Sequence, residues 1–413
     1  MELLTASWVV TVAGPPLRDG RVAVEESRIA WVGRAGDPGE PAAPVRDLGP
    51  GVLLPGLVNA HCHLELSHLR GRVPTAPGFV PWIEALVAAR AAGDGAEARA
   101  EARAEAAEAI RRLETNGTAA VGDVSNTLAH LDLLAGSSLQ AVVFLELLAW
   151  DPAAAEATLA SADRRLAALT PAPNVRMRLA AHAPYSVSPA LFAGLVARGG
   201  PAALHLAESP AESAFLAVGE GDWPGFLARR GLGHVPFQPP GLSPVRYVDA
   251  LGALGPGLVA AHGVQVDAAD RALLARRGVH VALCPRSNRN LGVGTAPVPE
   301  LLAAGVPLCL GTDSLASVES LDLLEDAALL FRQFPDLDPA VLVRAATLGG
   351  ARALGLESDL GAIAPGRRAA LAFAAAASAP DDPSRYLLSG EARLRRVDPA
   401  PPDAPRPGPG AVA

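Results

Sequence analysis

Apolar runs recur along most of the chain and alternate with polar, helix-forming stretches. Eight runs of strand length lie at 56–63, 117–124, 141–148, 176–183, 202–206, 257–262, 279–284 and 306–312. Stretches rich in Ala, Leu and Arg separate them, among them 94–115, 152–169 and 266–278. Strands that alternate with helices are typical of a parallel sheet, and eight such units favour a (β/α)8 TIM-like barrel over a doubly wound sheet. The predicted fold class is therefore α/β.

Short strand-like pieces separated by Gly, Pro and Asp flank this region on both sides. They lie at 8–12, 21–24 and 29–33 before it, and at 361–363 and 370–373 after it. This pattern predicts a small β-sandwich domain formed from both chain ends. The predicted boundaries are 1–54 and 355–397 for the β-domain and 55–354 for the barrel, with a flexible tail at 398–413 that is rich in Pro, Gly and Ala.

The segment 217–248 interrupts the alternation of strands and helices. It is irregular, contains several Gly and Pro residues, and follows the end of a predicted strand. Long loops after strand ends commonly carry function, so we predict that this segment forms part of an active-site rim.

Composition narrows the class of protein. The formal net charge is −8 and no dense basic cluster occurs, which argues against a nucleic-acid partner but leaves a nucleoside-like substrate open. No apolar run reaches the ~18 residues of a membrane span, and the start Met1–Leu4 lacks the basic residues of a signal peptide, so we expect a cytoplasmic protein without a membrane partner. Three cysteines are too few for a disulfide framework.

All 35 basic residues are arginines, because the chain contains no lysine. Schiff-base chemistry on a lysine is thereby excluded. A carboxylated lysine that bridges two metals is excluded as well, so we expect any metal site to be mononuclear or built differently.

Polar residues close the apolar runs. His61 and His63 end the first run two residues apart, so both side chains lie on one side of the strand and Cys62 on the other. Later runs end at His182, His205, His262 and Asp313, and Glu208 follows His205 by three residues. Five of the nine histidines thus fall at predicted strand ends, where barrels of this class carry their functional residues.

This set of residues fits hydrolysis at a divalent metal. A catalytic site of this kind uses about three or four protein ligands and keeps a position open for water. The predicted ligands are His61, His63, His205 and Asp313. A divalent metal lowers the pKa of water from ~15.7 to near 7, and Glu208 is the predicted general acid and base. His262 and Asp313 are predicted to assist catalysis.

Several of these residues also have a purely structural interpretation. His182 and His262 fit a capping or core position, Glu208 fits the acidic first turn of a helix, and Asp313 fits a helix N-cap. The remaining histidines, His68, His130, His234 and His280, are assigned to structure or surface.

Six motifs together resemble the amidohydrolase superfamily, in its nucleoside and heterocycle deaminase branch. They are PGLVNAHCHLELS (55–67), HAPYSVSP (182–189), LHLAES (204–209), AHG (261–263), CPRSN (284–288) and LGTDSLAS (310–317). Within that branch, HLELSHLRG (63–71) and CPRSNRNLGVG (284–294) are most similar to aminodeoxyfutalosine deaminases of menaquinone biosynthesis. Those enzymes deaminate an adenine ring on a carboxyphenyl-bearing nucleoside.

The resemblance implies the same metal ligands, with zinc as the first choice and iron or manganese as alternatives. It implies that Glu208 moves protons and that His262 assists. It also implies substrate contacts, for which the candidate residues are His182, Ser317, Arg70, Trp82 and Arg286. An arginine suits this role because its guanidinium binds a carboxylate with two hydrogen bonds.

The sequence therefore predicts a metal-dependent hydrolytic deaminase, with 6-amino-6-deoxyfutalosine as the predicted substrate and futalosine and ammonia as products. One alternative is a related hydrolase that acts on S-adenosylhomocysteine, methylthioadenosine, guanine or a triazine. Another is a non-catalytic barrel. A small-molecule nucleoside is the expected partner, and a homodimer is left open.

Overall fold

The computed structural model describes residues 1–74, 78–92 and 95–398. Apart from Asp398, the predicted tail lies outside these residues. The strands are β1 (Glu2–Val9), β2 (Leu17–Glu25), β3 (Arg28–Arg34), β4 (Val45–Asp47), β5 (Gly51–Pro55), β6 (Leu57–Cys62), β7 (Thr118–Ser125), β8 (Gln140–Leu147), β9 (Val175–Ala181), β10 (Ala203–Leu206), β11 (Val259–His262), β12 (His280–Leu283), β13 (Leu308–Leu310), β14 (Leu371–Ala375) and β15 (Leu394–Val397).

Helices follow most strands from β6 onward. They are α1 (Phe79–Ala91), α2 (Ala96–Thr115), α3 (Leu131–Ala135), α4 (Ala155–Ala167), α5 (Pro189–Val196), α6 (Pro210–Val218), α7 (Trp223–Arg229), α8 (Pro244–Ala250), α9 (Ala268–Arg277), α10 (Pro285–Asn290), α11 (Val298–Ala303), α12 (Leu323–Gln333), α13 (Pro339–Arg344), α14 (Gly350–Ala353) and α15 (Pro383–Leu387). Two 3-10 turns, Leu64–Leu69 and Pro152–Ala154, and a π-helical turn, Ala345–Gly349, complete the elements. Among the described residues no helix combines the length and the apolar character needed to span a bilayer.

Eight parallel strands form a closed barrel. Strands β6 to β9 make one four-stranded sheet and β10 to β13 make the other. The N–H of His205 donates to the carbonyl of His182 (2.8 Å), which joins the sheets on one side, and a bridge between Cys62 and Asp313 joins them on the other. The predicted TIM-like barrel is confirmed, and each of its strands lies within a few residues of a predicted apolar run.

Local sequence sets the limits of helix α9. The carboxylate of Asp267 accepts the N–H of Asp270 (2.8 Å), and the carboxylate of Asp270 accepts the N–H of Asp267 (3.2 Å). The helix ends at Gly278, whose φ of 64° is left-handed and carries no steric cost in glycine. The helix predicted at 266–278 therefore forms, shortened at both ends.

Both chain ends build the small domain, as predicted. Its seven strands form one sheet in the order β15-β14-β5-β1-β2-β3, with β4 also paired to β1. The sheet curls, because a bridge between Arg28 and Arg368 brings the segment before β14 beside β3. A single curled sheet thus stands where we expected a sandwich. Strand β1 begins earlier than predicted, and the predicted strand at 361–363 does not form, although the N–H of Ile363 donates to the carbonyl of Thr11 (2.9 Å).

Strands β5 and β14 pack on the barrel with one face and on the core of the small domain with the other. On one face, Leu53 and Phe373 lie in the core that the curled sheet encloses. On the other face, Val52, Leu54 and Ala372 belong to the core shared with the barrel. Because neighbouring side chains of a strand point to opposite faces, two short strands serve both cores.

Candidate active site and metal centre

The structure brings the four predicted metal ligands together at one end of the barrel. His61 and His63 come from the end of β6, His205 from β10, and Asp313 follows β13. The Nε2 atoms of His63 and His205 are 3.3 Å apart, and Oδ1 of Asp313 lies 3.5 Å from Nε2 of His63 and 3.8 Å from Nε2 of His61. Cys62 points away into the core beside α2, as the alternation of the strand predicts.

The chemistry of this cluster fits a divalent cation. His61, His63 and His205 offer one ligand atom each within 4.8 Å of one another. Nε2 of His61 is buried without a hydrogen-bond partner, which is costly unless something binds it. Burial and neighbouring histidines hold the pKa of His61 and of His205 well below the usual range, which favours the neutral imidazole that binds metals. Three nitrogens and a carboxylate suit a zinc-type site.

Two serines orient Asp313. The hydroxyls of Ser287 and Ser317 donate to its Oδ2 at 2.5 Å and 2.9 Å, so Oδ1 is left facing the histidines. Although burial opposes ionisation, His63 and His262 lower the pKa of Asp313. Ser317 was predicted to contact substrate. In the structure its hydroxyl donates a hydrogen bond to the predicted metal ligand Asp313.

Left-handed backbone recurs where the barrel strands end at the site. Ala207, His262 and Asp313 have φ values of 53°, 76° and 63°. Such conformations cost roughly 1–3 kcal/mol each in residues other than glycine, and they persist where surrounding bonds hold them. The carbonyl of Ala207 accepts the N–H groups of Val264 (2.9 Å) and Gln265 (2.7 Å), which ties together the turns after β10 and β11. The sequence carried no signal for this strain.

Glu208 and His262 form a buried pair beside the ligand cluster. Oε1 of Glu208 lies 3.5 Å from Nε2 of His262, and Nδ1 of His262 lies 2.9 Å from Oδ1 of Asn288. We place the proton of His262 on Nδ1 because the amide oxygen only accepts. Burial, together with Asp313 and Glu212, raises the pKa of Glu208 well above its usual range. This carboxyl group therefore favours the protonated form, as a proton donor requires.

Glu212 fixes the turn that carries Glu208. Its carboxylate accepts the N–H groups of Glu208 (2.8 Å) and Ala207 (3.2 Å), while its own N–H donates to Ser209 (3.2 Å). Sequence reasoning missed this residue, although Ser209 followed three residues later by a glutamate is a capping-box pattern.

We expect the Glu212→Gln variant to change how stability depends on pH. Burial raises the pKa of Glu212 from its ordinary value near 4.5 to about 7. As pH rises, the unfolded chain therefore loses this proton first, and the contribution of Glu212 to the free energy of unfolding falls between pH 4.5 and 7, by at most about 3 kcal/mol. Denaturant unfolding across this pH range should show a flatter profile for Glu212→Gln. The exposed variant Glu220→Gln should keep the parent's slope, and equal slopes in all three proteins would contradict the assignment.

The predicted substrate residues lie in different surroundings. His182 is beside His205, with ring centroids 5.0 Å apart, and its Nδ1 lies 2.6 Å from the hydroxyl of Ser186. Trp82 is buried in the main core on α1. Arg70 follows the 3-10 turn after His63, and its Nε is buried without a hydrogen-bond partner.

Arg286 is the predicted substrate residue that the structure places elsewhere. Its Nε and Nη2 donate to Asp326 at 3.0 Å and 2.7 Å. Nη1 donates to the hydroxyl of Ser320 and to the carboxylate of Glu325, and Nη2 also donates to two backbone carbonyls. Every nitrogen of the guanidinium is thus already bonded within the chain. The structure corrects the prediction, because Arg286 anchors helix α12 and has no donor left for a substrate carboxylate.

A group of aromatic residues near His182 was not predicted. Tyr185 stacks on Trp223 with ring centroids 3.9 Å apart, and Phe79 contacts both rings edge-on. The rings of Tyr185 and His182 also contact each other edge-on, with centroids 5.7 Å apart. Trp223 belongs to α7 in the segment 217–248, so this segment does reach the neighbourhood of the site.

Comparison with known proteins agrees with this geometry. The model of the amidohydrolase family matches residues 52–392. An aminodeoxyfutalosine deaminase of Deinococcus radiodurans is 36% identical over 373 residues, which cover 86% of each chain. A 5-methylthioadenosine/S-adenosylhomocysteine deaminase of Moorella thermoacetica is 31% identical over 401 residues, covering 89% of this chain and 84% of the other.

A solved structure shares the architecture. The adenosine deaminase of Xanthomonas campestris with bound zinc superposes with a TM-score of 0.78 at 28% identity, covering 95% of this chain and 89% of the other. The matched residues span the barrel and, in the small domain, β14 and all but the first residue of β5. On these grounds the chain belongs to the amidohydrolase family.

Proposed function

We propose that this protein is a metal-dependent hydrolytic deaminase of an adenine-bearing nucleoside. The observation that carries the proposal is the convergence of three imidazoles and one carboxylate beside the buried pair of Glu208 and His262. The relatives named above are deaminases, which are hydrolases that act on C–N bonds.

The residues that would hold the cation are His61, His63, His205 and Asp313. When bound there, a divalent cation supplies Lewis acidity, which makes water a nucleophile near neutral pH. Zinc is our first choice because the related adenosine deaminase holds zinc, and iron or manganese would fit the same ligands.

Side chains of the protein would transfer the protons and orient the attacking water. Hydrolysis forms a C–O bond at the amino-bearing ring carbon and breaks the C–N bond, so that ammonia leaves. Glu208 donates its proton to the adjacent ring nitrogen and takes up a proton from the attacking water. The second proton of that water passes to the amino group, which leaves as ammonia while the carbonyl of the product forms. Nε2 of His262, which carries no proton in the tautomer assigned above, lies 3.5 Å from Oε1 of Glu208 and orients the attacking water by accepting a hydrogen bond from it. Oδ1 of Asp313 faces the histidines and helps to position the same water.

We further propose 6-amino-6-deoxyfutalosine as the substrate. The support is the aminodeoxyfutalosine deaminase at 36% identity and the motifs at 63–71 and 284–294. The second candidate is an adenosyl thioether, because relatives near 31% identity are 5-methylthioadenosine/S-adenosylhomocysteine deaminases.

A substrate panel tests this choice. Ammonia release should be measured with 6-amino-6-deoxyfutalosine, S-adenosylhomocysteine, methylthioadenosine and adenosine, with metal analysis on the same sample. We expect the first compound to give the highest kcat/KM. A preference for S-adenosylhomocysteine would favour the second candidate, and a metal-free protein without ammonia release would favour a non-catalytic barrel.

A further inference from the structure

A partly buried polar network runs from the turn after His63 to the ring of His205. It begins at Glu65, whose Oε2 accepts the hydroxyls of Ser125 and Thr127, each at 2.8 Å. The same oxygen accepts the N–H groups of Asn126 (3.1 Å) and Thr127 (3.0 Å). Glu65 lies two residues after His63 in the 3-10 turn Leu64–Leu69, and these bonds hold that turn against the end of β7 and the loop that follows it.

Arg90 and Asn126 extend the network to a second carboxylate. Arg90 donates to Oε1 of Glu65 (3.3 Å) and to the amide oxygen of Asn126 (3.1 Å). The amide nitrogen of Asn126 then donates to Oε2 of Glu146 at 2.8 Å. Both ends of the Asn126 amide are therefore engaged, and one oxygen of Glu146 is fixed.

The other oxygen of Glu146 points to His205. Oε1 lies 3.5 Å from Nδ1 of His205, is buried, and has no hydrogen-bond partner. Nδ1 of His205 also lies 3.0 Å from the carbonyl oxygen of His182, which can only accept, so the proton is on Nδ1. The opposite nitrogen, Nε2, is the one that faces His63 at 3.3 Å.

We propose that Glu146 is a positioning residue that orients His205 for metal binding and strengthens it as a ligand. When Nε2 binds a cation, positive charge accumulates on the ring, and the carboxylate at Nδ1 stabilises this charge. Carboxylates behind metal-binding histidines fix the tautomer and raise the basicity of the ligand, and their loss typically costs 10–100-fold in metal affinity. The inference rests on the proposed metal-dependent function.

Zinc affinity of the full chain tests the inference without any measurement of turnover. Competition with a chelator should show that Glu146→Gln binds Zn²⁺ about 10–100-fold more weakly than the parent. Asn126→Ala, which removes the donor to Oε2, should weaken binding in the same direction by a smaller factor. Glu156→Gln on α4 is the matched control, because it removes an equal charge from an exposed position and should leave the affinity unchanged.

Three results would overturn the inference. One is parent-like zinc affinity in Glu146→Gln. Another is a raised KM with unchanged zinc affinity, which would make Glu146 a substrate contact. The third is a lower thermal midpoint of the metal-free variants with unchanged zinc affinity, which would make the network merely structural. A parent that binds no zinc and releases no ammonia would instead refute the proposed function itself, and the inference with it.

Discussion

The Glu208→Gln variant should retain its metal and lose roughly 10²–10⁴-fold in kcat, the range that general acid–base groups contribute. Glutamine keeps the size of the side chain but cannot exchange a proton with the ring nitrogen. The carboxyl group of Glu208 is not among the predicted metal ligands, and its Oε1 lies 3.5 Å from Nε2 of His262. Metal content should therefore be independent of this residue while turnover depends on it.

Ammonia release and elemental analysis on the same preparation measure both quantities. Glu220→Gln is the matched control, because it makes the same substitution at an exposed glutamate just after helix α6. The control should match the parent in both measurements. Near-normal turnover of Glu208→Gln would show that another group moves the proton, and simultaneous loss of metal would show that Glu208 acts as a ligand.

The His63→Ala variant should lose both metal and activity. His63 faces two other predicted ligands at once, His205 at 3.3 Å and Asp313 at 3.5 Å, so its removal leaves the centre without one of its three nitrogens. Added zinc stabilises a protein that binds it in the folded state, so the thermal midpoint of the parent should rise with zinc concentration. The midpoint of His63→Ala should stay nearly constant.

His234→Ala is the control for this experiment. His234 is exposed and its Nδ1 lies near the carbonyl of Gly231, so its loss should leave the response to zinc intact. Stoichiometric zinc in purified His63→Ala would refute its role as a ligand. His61→Ala should behave as His63→Ala does, because Nε2 of His61 is buried in the same cluster without another partner.

Strand period and strand ends explain why the sequence could predict that His61, His63, His205 and Asp313 lie close together. His61 and His63 share a face because side chains alternate, and the ends of parallel strands meet at one rim. Glu146 is the single carboxylate of the apolar run at 141–148, so its place near the end of a strand could also have been predicted. The sequence does not indicate that it lies beside His205, because no spacing rule connects the two residues.

Other features depend on contacts between distant parts of the chain. Arg286 lies in a motif similar to the family's, yet its partner Asp326 is 40 residues away and no spacing rule connects them. Trp223 reaches Tyr185 only because α7 folds back over the barrel, and the curl of the small sheet depends on a bridge between residues 28 and 368. Periodicity predicts which elements form, whereas these pairings are decided by tertiary packing.

The pairing of β5 with β14 has a consequence for synthesis on the ribosome. Leu371 pairs with Pro55 and Ala375 with Gly51, so β5 is made more than 300 residues before its partner β14. Contacts this far apart in sequence slow folding, and an unpaired strand edge is prone to aggregation while it waits. Gly56 joins β5 directly to β6, which carries His61, and the N–H of Gly56 donates to the carbonyl of Ala370 (2.8 Å). A chain truncated before Ala370 would therefore leave the start of β6 without this support.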